Sequence, residues 1–156
     1  MNYDDFISNK TKRALSHGFD PLPIKAPLFD WQKYIVEWAI RKGRAALFED
    51  CGLGKTAQQL EWADQVKRKT GGSVIILTPL SVSRQTCNEA SKFGIDATVV
   101  ESDSDINESG IYITNYEKID KFDCSQFAGV VLDESSILKN FTGKMRQLLT
   151  ANFSET

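Results

Sequence analysis

Short apolar runs punctuate this sequence at near-regular intervals, and they limit its fold more than any other feature. The runs are AALF at 45–48, VIIL at 74–77, ATVV at 97–100, IYIT at 111–114 and VVL at 130–132. None alternates polar with apolar residues, so each reads as a strand buried on both faces. Stretches of helical composition separate the runs at 55–69 and up to about Lys92. Strand and helix in alternation predict an α/β fold: a parallel sheet with helices on both faces. The chain has 156 residues, which suits one domain burying roughly 70% of its unfolded surface.

Ahead of the first run, Trp31, Tyr34, Ile35 and Trp38 recur at i, i+3, i+4 and i+7. This predicts an amphipathic helix capped by Asp30 and ended by Gly43, with Trp31 and Trp38, like Trp62 in the next helix, read as packing residues. Residues 1–27 form an approach segment in which Pro21, Pro23 and Pro27 follow Gly18, each proline holding its predecessor out of the helical region. His17, the single histidine, has no visible partner there, and the acidic stretch 101–108 reads as a solvated loop.

Composition removes several classes. With 41% hydrophobic and 26% charged residues the chain is neither a disordered tail nor a disulfide scaffold. Lys and Arg number 19 against 21 Asp and Glu, so no global positive field announces nucleic acid or an anionic membrane, and any such contact must be local. Apolar runs of four residues fall far below the roughly 20 of a membrane span. The opening MNYDDFISNK lacks the positive start and apolar stretch of an export signal. Cys51, Cys87 and Cys124 are odd in number and far apart, which points to a reducing cytoplasm.

Residues 49–56 read EDCGLGKT, between a predicted strand and a predicted helix. A loop that wraps a polyphosphate needs close backbone approach, a lysine for the outer phosphates and a hydroxyl for magnesium. Gly52, Leu53 and Gly54 supply the approach, Lys55 the charge and Thr56 the metal ligand. The full phosphate-loop pattern begins with glycine, where this chain has Glu49. Downstream, the strand GVVL runs into Asp133 and Glu134, which places both acids at the carboxyl edge of the sheet, where open α/β folds bind ligands. There Asp133 suits magnesium, and Glu134 suits the water that attacks a γ-phosphate. Taken alone, the two acids would read as a helix or loop cap.

With these motifs in order, the chain resembles the first motor lobe of superfamily II helicases and translocases, nearest the Swi/Snf-like branch of phage and bacterial genomes. LFDWQKYIVEW at 28–38 resembles the glutamine motif, EDCGLGKTAQ at 49–58 the first motif, and LDESSILKN at 132–140 the DEAD/DEAH box. LTPLSVSRQTCNEASKF at 77–93 and ITNYEKI at 113–119 resemble segments that grip a nucleic-acid backbone. The resemblance, covering 28–156, implies a RecA-like P-loop lobe that binds ATP and Mg2+. It also implies that Gln32 reads the adenine edge and that an acid at position 49 is usual. Catalysis would rest on Lys55, Asp133 and Glu134. Partners would be double-stranded DNA, held near Thr78, Pro79, Thr114 and Asn115, and a second RecA-like lobe. Those four residues serve equally well as strand ends followed by turns.

Two departures from the family pattern matter. Ser135 and Ser136 stand where the box usually ends in Ala-His or Ala-Asp. The chain also reaches Thr156 before a third motif, since GKMRQLLTANF at 143–153 reads as a helix. The expectation is therefore a C-terminally truncated lobe from a fragmentary or split gene, lacking the strand between the phosphate-loop strand and the DE strand. A nucleotide-binding module without turnover is the alternative function. A small GTPase fits less well, because no NKxD-like segment follows the acids, and a kinase fits less well for want of an arginine-rich lid.

Overall fold

The computed structural model describes residues 16–50 and 52–134. Cys51, Ser135, Ser136 and the stretch at 143–153 lie outside the described residues. Strands β1 (Ser73–Thr78), β2 (Ala97–Val99), β3 (Ile111–Asn115) and β4 (Phe127–Leu132) form one parallel sheet in the order β2-β3-β1-β4. Four of the five predicted runs are therefore strands. The centre of the sheet is β1, which pairs with β3 from Val74↔Ile111 to Thr78↔Asn115 and with β4 up to Leu77↔Leu132. Every residue of β1 is buried, as its unbroken apolar run predicts.

Alternate residues of the strands feed two cores. Val74, Ile76, Ile111 and Ile113 face a layer of three helices: α1 (Asp30–Lys42), α2 (Lys55–Thr70) and α3 (Ser83–Lys92). Val36, Ile40, Leu60, Ala63, Val66 and Ala90 supply the helical side of that core. Ile75, Leu77 and Tyr112 face the other way and meet Ile119, Phe122 and Cys124. Short 3-10 turns at Tyr116–Lys121 and Cys124–Gln126 form that second layer. The helical cover of the second face is thus made of 3-10 turns among the described residues.

Three local expectations are corrected. Residues 45–48 are not a strand and do not join the sheet. Leu47 is 37% and Phe48 97% exposed. An apolar run becomes a strand only where a ladder satisfies its backbone, and among the described residues no strand lies beyond β4 to pair with it. Asp30 does not cap α1. Phe29 occupies the cap position, and Asp30 is the first helical residue, bonded to Lys33 Nζ at 3.2 Å. Trp31 and Trp38 are 43% and 39% exposed, so the aromatic stripe is not the buried one. The face turned inward carries Gln32, Val36, Ala39 and Ile40, which also recur at helical spacing. Trp62 does pack against the core.

The approach segment is held by polar groups. Leu22 N–H donates to Gln65 Oε1 (2.9 Å), and Lys25 and Ala26 N–H both donate to Glu61 Oε2 (3.1 and 2.8 Å). Arg68 Nη2 donates to the Pro23 carbonyl at 3.0 Å. Earlier in the strap, a Cβ built on Gly18 would lie 1.7 Å from the Ile40 carbonyl oxygen, so only glycine allows the strap to cross the end of α1. The N–H of His17 donates to the Lys42 carbonyl in the same crossing. No helix among the described residues is long and apolar enough to cross a membrane.

Candidate functional site

The loop at 49–54 delivers the chain into α2 through two glycines in the left-handed region, Gly52 (φ 79°) and Gly54 (φ 72°). At Gly54 the positive φ favours glycine, and an added Cβ, 2.5 Å from Gln32 Nε2, would also displace the end of that side chain. Gln32 is buried and fully engaged: its Oε1 accepts from Phe29 N–H (2.9 Å) and its Nε2 donates to the Leu53 carbonyl (2.8 Å). In this conformation Gln32 staples the loop to α1. From the other side, Gln58 Nε2 donates to Glu49 Oε2 (2.9 Å) and to the same Leu53 carbonyl (3.3 Å). The Lys55 ammonium donates to the Glu49 carbonyl at 3.1 Å. Glu49, the residue out of step with the phosphate-loop pattern, thus anchors the loop at both its backbone and its carboxylate.

The start of α2 suits an anion. It has no side-chain cap and no acid in its first turn, and Thr56 sits there half-buried. Uncapped N–H groups and the positive end of the helix dipole both favour phosphate. At the other end of the site, Asp133 follows β4, and its N–H donates to the Leu77 carbonyl (2.9 Å), extending the β1–β4 ladder by one step. Its Oδ1 accepts from Gln59 Nε2 at 2.9 Å. Gln59 lies four residues after Lys55 on α2, one turn or ~6 Å along the helix and on the same face. The phosphate-loop helix and the DE segment therefore meet directly. Sequence reasoning missed Gln59, although its i+4 spacing from Lys55 was a usable signal.

Beside Asp133 stands Tyr116, 2% exposed, whose hydroxyl donates to the Asp133 carbonyl at 2.6 Å. Burial, and then the Asp133 and Glu134 carboxylates, push this phenol well above its ordinary 10.0. Glu134 is exposed and takes a left-handed φ of 54°, alone among the described non-glycine residues.

The residues present fit a magnesium nucleotide. Among the described residues no cluster of three or more His, Cys, Asp or Glu forms a ready-made metal cage. Magnesium characteristically takes one or two protein ligands and completes its shell with phosphates and waters, which matches the small set of Thr56 and Asp133. Glu49 Oε1, Gln58 Oε1 and Gln59 Oε1 are among the buried oxygens without partners and belong to the side chains that build the loop and reach Asp133; such acceptors suit bridging or metal-bound water.

The expected nucleic-acid residues share the same sheet edge, because Thr78 pairs with Asn115 and Leu77 with Thr114. Their side chains, however, are inward. Thr78, Thr114 and Asn115 are 0%, 1% and 5% exposed, and the Thr78 hydroxyl bonds Ser83 Oγ at 2.7 Å. Pro79 is half-buried, while Leu80, Ser81 and Arg84 at the start of α3 are exposed.

No protein-family model and no curated protein matches the sequence. Solved structures do. The UvsW helicase of bacteriophage T4 superposes with a TM-score of 0.68 at 16% identity, over 97% of this chain and 56% of that one. The SWI2/SNF2 ATPase core of Sulfolobus solfataricus superposes with a TM-score of 0.68 at 26% identity, over 87% of this chain. The same core in complex with double-stranded DNA gives 0.63 at 26% identity, over 85%. This chain spans 56% of the phage helicase and 31% of either archaeal structure. The T4 likeness concerns fold alone, whereas the archaeal ones add a closer sequence correspondence. The four-stranded parallel α/β fold thus matches that of helicase RecA-like domains, and the chain is structurally similar to the UvsW helicase and to the SWI2/SNF2 ATPase core.

Proposed function

We propose that the chain is the ATP-binding lobe of a DNA-dependent ATPase motor, hydrolysing ATP with magnesium when a second RecA-like lobe completes the site. The observation that carries this reading is the Gln59–Asp133 hydrogen bond, which joins the helix of the phosphate loop to the acid pair at the carboxyl edge of the sheet. Lys55 would leave the Glu49 carbonyl to hold the outer phosphates, with the free N–H groups at the start of α2 taking the inner ones. Thr56 and Asp133 would hold magnesium, which supplies positive charge across the phosphate oxygens. Glu134 would orient and polarise the attacking water. Gln32, bonded to the loop at Leu53, would transmit base recognition by exchanging that bond for the adenine edge.

Duplex DNA would lie along the exposed start of α3, where Arg84 and the helix N–H groups face solvent, with Thr78, Thr114 and Asn115 shaping that edge from beneath. The archaeal SWI2/SNF2 core bound to double-stranded DNA supports this partner. A fluorescent ATP analogue titrated with and without Mg2+ tests the binding step. Lys55→Ala is expected to weaken affinity at least tenfold. ATP turnover stimulated by duplex DNA, with the second lobe supplied in trans, tests the motor reading. Its loss in Glu134→Gln with binding retained is the predicted result, and no stimulation in the unaltered pair would refute it.

A second reading, a nucleotide-binding module without turnover, draws on the Lys55 ammonium being tied to the Glu49 carbonyl. Under it the analogue binds, but hydrolysis stays absent with the second lobe and DNA present.

A further inference from the structure

Directly before Glu134 the chain is held by two backbone groups of Asp133. Its N–H is bonded to the Leu77 carbonyl of β1, and its C=O receives the hydroxyl of Tyr116, the residue directly after β3. The next residue, Glu134, adopts a left-handed φ of 54° with a full side chain. A non-glycine residue stays in that region only where its surroundings over-determine it. After β4 ends at Leu132, the Asp133 backbone is the last point among the described residues at which the sheet holds the chain, and Tyr116 supplies a backbone hold there that is not a ladder bond. The ring itself is locked in the second core with Ile119 and Phe127, so its hydroxyl is presented from a rigid base.

From this geometry we infer that Tyr116 is a positioning residue for Glu134: its hydroxyl clamps the Asp133 carbonyl and so fixes the left-handed turn that aims the Glu134 carboxylate. The inference rests on the reading of Glu134 as the acid that polarises water. The Tyr116 hydroxyl is engaged by the Asp133 carbonyl and takes no part in holding the nucleotide in the site proposed above. Removing its hydroxyl therefore disturbs the orientation of Glu134 and leaves Lys55, Thr56 and the Asp133 carboxylate in place. Because Tyr116 also follows Asn115 without a break, the β3 end beneath the proposed DNA surface and the acid pair are joined by one side chain.

The test begins without nucleotide. In the unaltered full chain, NMR should find the Tyr116 hydroxyl proton slowed in exchange and close to the Glu134 amide. The Glu134 carbon shifts and amide–Hα coupling should report a left-handed residue. In Tyr116→Phe that signature is expected to disappear, while the resonances of Ile75 and Ile113 stay in place. Affinity for a non-hydrolysable ATP analogue with Mg2+ should remain within about twofold. In the two-lobe assembly, kcat should fall about ten- to a hundredfold at unchanged KM, as for a displaced reacting group. A left-handed Glu134 that persists in Tyr116→Phe would overturn the inference, as would a rapidly exchanging Tyr116 hydroxyl in the unaltered chain, a measurement that holds even if the variant folds poorly. If the unaltered chain fails to bind Mg-ATP, the functional reading falls instead, and the nucleotide-free spectra distinguish the two failures.

Discussion

Glu61 has no solvent exposure, and its carboxylate accepts the N–H groups of Lys25 and Ala26, the Gln65 amide and Arg68 Nη2. A buried carboxylate is tolerable because those donors replace water. Glu61→Ala would strand two backbone donors and the buried Gln65 amide, with Arg68 kept by Asp64 and the Pro23 carbonyl, and is expected to cost about 2–4 kcal/mol, read as a lowered denaturation midpoint. Loss of less than about 0.5 kcal/mol would mean the strap is not held this way. At Cys124, burial and then the Asp123 and Asp103 carboxylates raise the thiol above its ordinary 9.0. Unfolding releases that shift, so the group's contribution to stability is complete below pH 9.0 and is lost as pH rises through the folded value. Since the thiolate is the reactive form, iodoacetamide at pH 8 followed by peptide mapping should label half-buried Cys87 well before Cys124. The reverse order would show that Cys124 is neither buried nor shifted.

The segment at 45–48 separates two pictures of this fold. A buried strand there would make Phe48 a core residue whose truncation costs about 3–5 kcal/mol, whereas the 97% exposure of Phe48 predicts that Phe48→Ser changes stability by less than about 0.5 kcal/mol. Chemical denaturation decides between them. The strands β1 to β4 were legible because continuous β-branched runs have few other solutions, and the end of α1 because Gly43 takes a positive φ that favours glycine. Residues 45–48 were misread because apolarity reports a wish for burial but not the presence of a ladder partner. On α1, two stripes shared the helical period: the aromatic one drew the eye, and Val36, Ala39 and Ile40 form the core. In the candidate site, motif chemistry singles out Lys55, Thr56 and the acids. The contacts of Gln59 and Tyr116 with Asp133 span 74 and 17 residues of sequence; only the i+4 spacing of Gln59 from Lys55 hinted at either. The inward turn of Thr78, Thr114 and Asn115 was hidden for a similar reason: a strand-end polar residue looks alike in sequence whether it faces solvent or a neighbouring strand.

At the scale of the whole molecule, two independent parts of the chain arrive at one edge: the loop entering α2, and the segment leaving β4. The sheet order puts β4 beside β1, and α2 packs against both, so the loop and the acids have little freedom to part. The strap from 16–27 adds to this by binding α1 and α2 together on the face opposite the 3-10 turns. In the proposed site one metal–nucleotide complex touches both parts. Mn2+ in place of Mg2+ broadens NMR signals of nearby nuclei, so adding Mn2+ with a non-hydrolysable ATP analogue to the labelled chain reads the claim directly. Amide signals of Lys55, Thr56 and Gln59 and those of Asp133 and Glu134 are predicted to broaden together, and Asp133→Asn should diminish both effects. Broadening confined to the loop, with the signals after β4 left sharp, would contradict it.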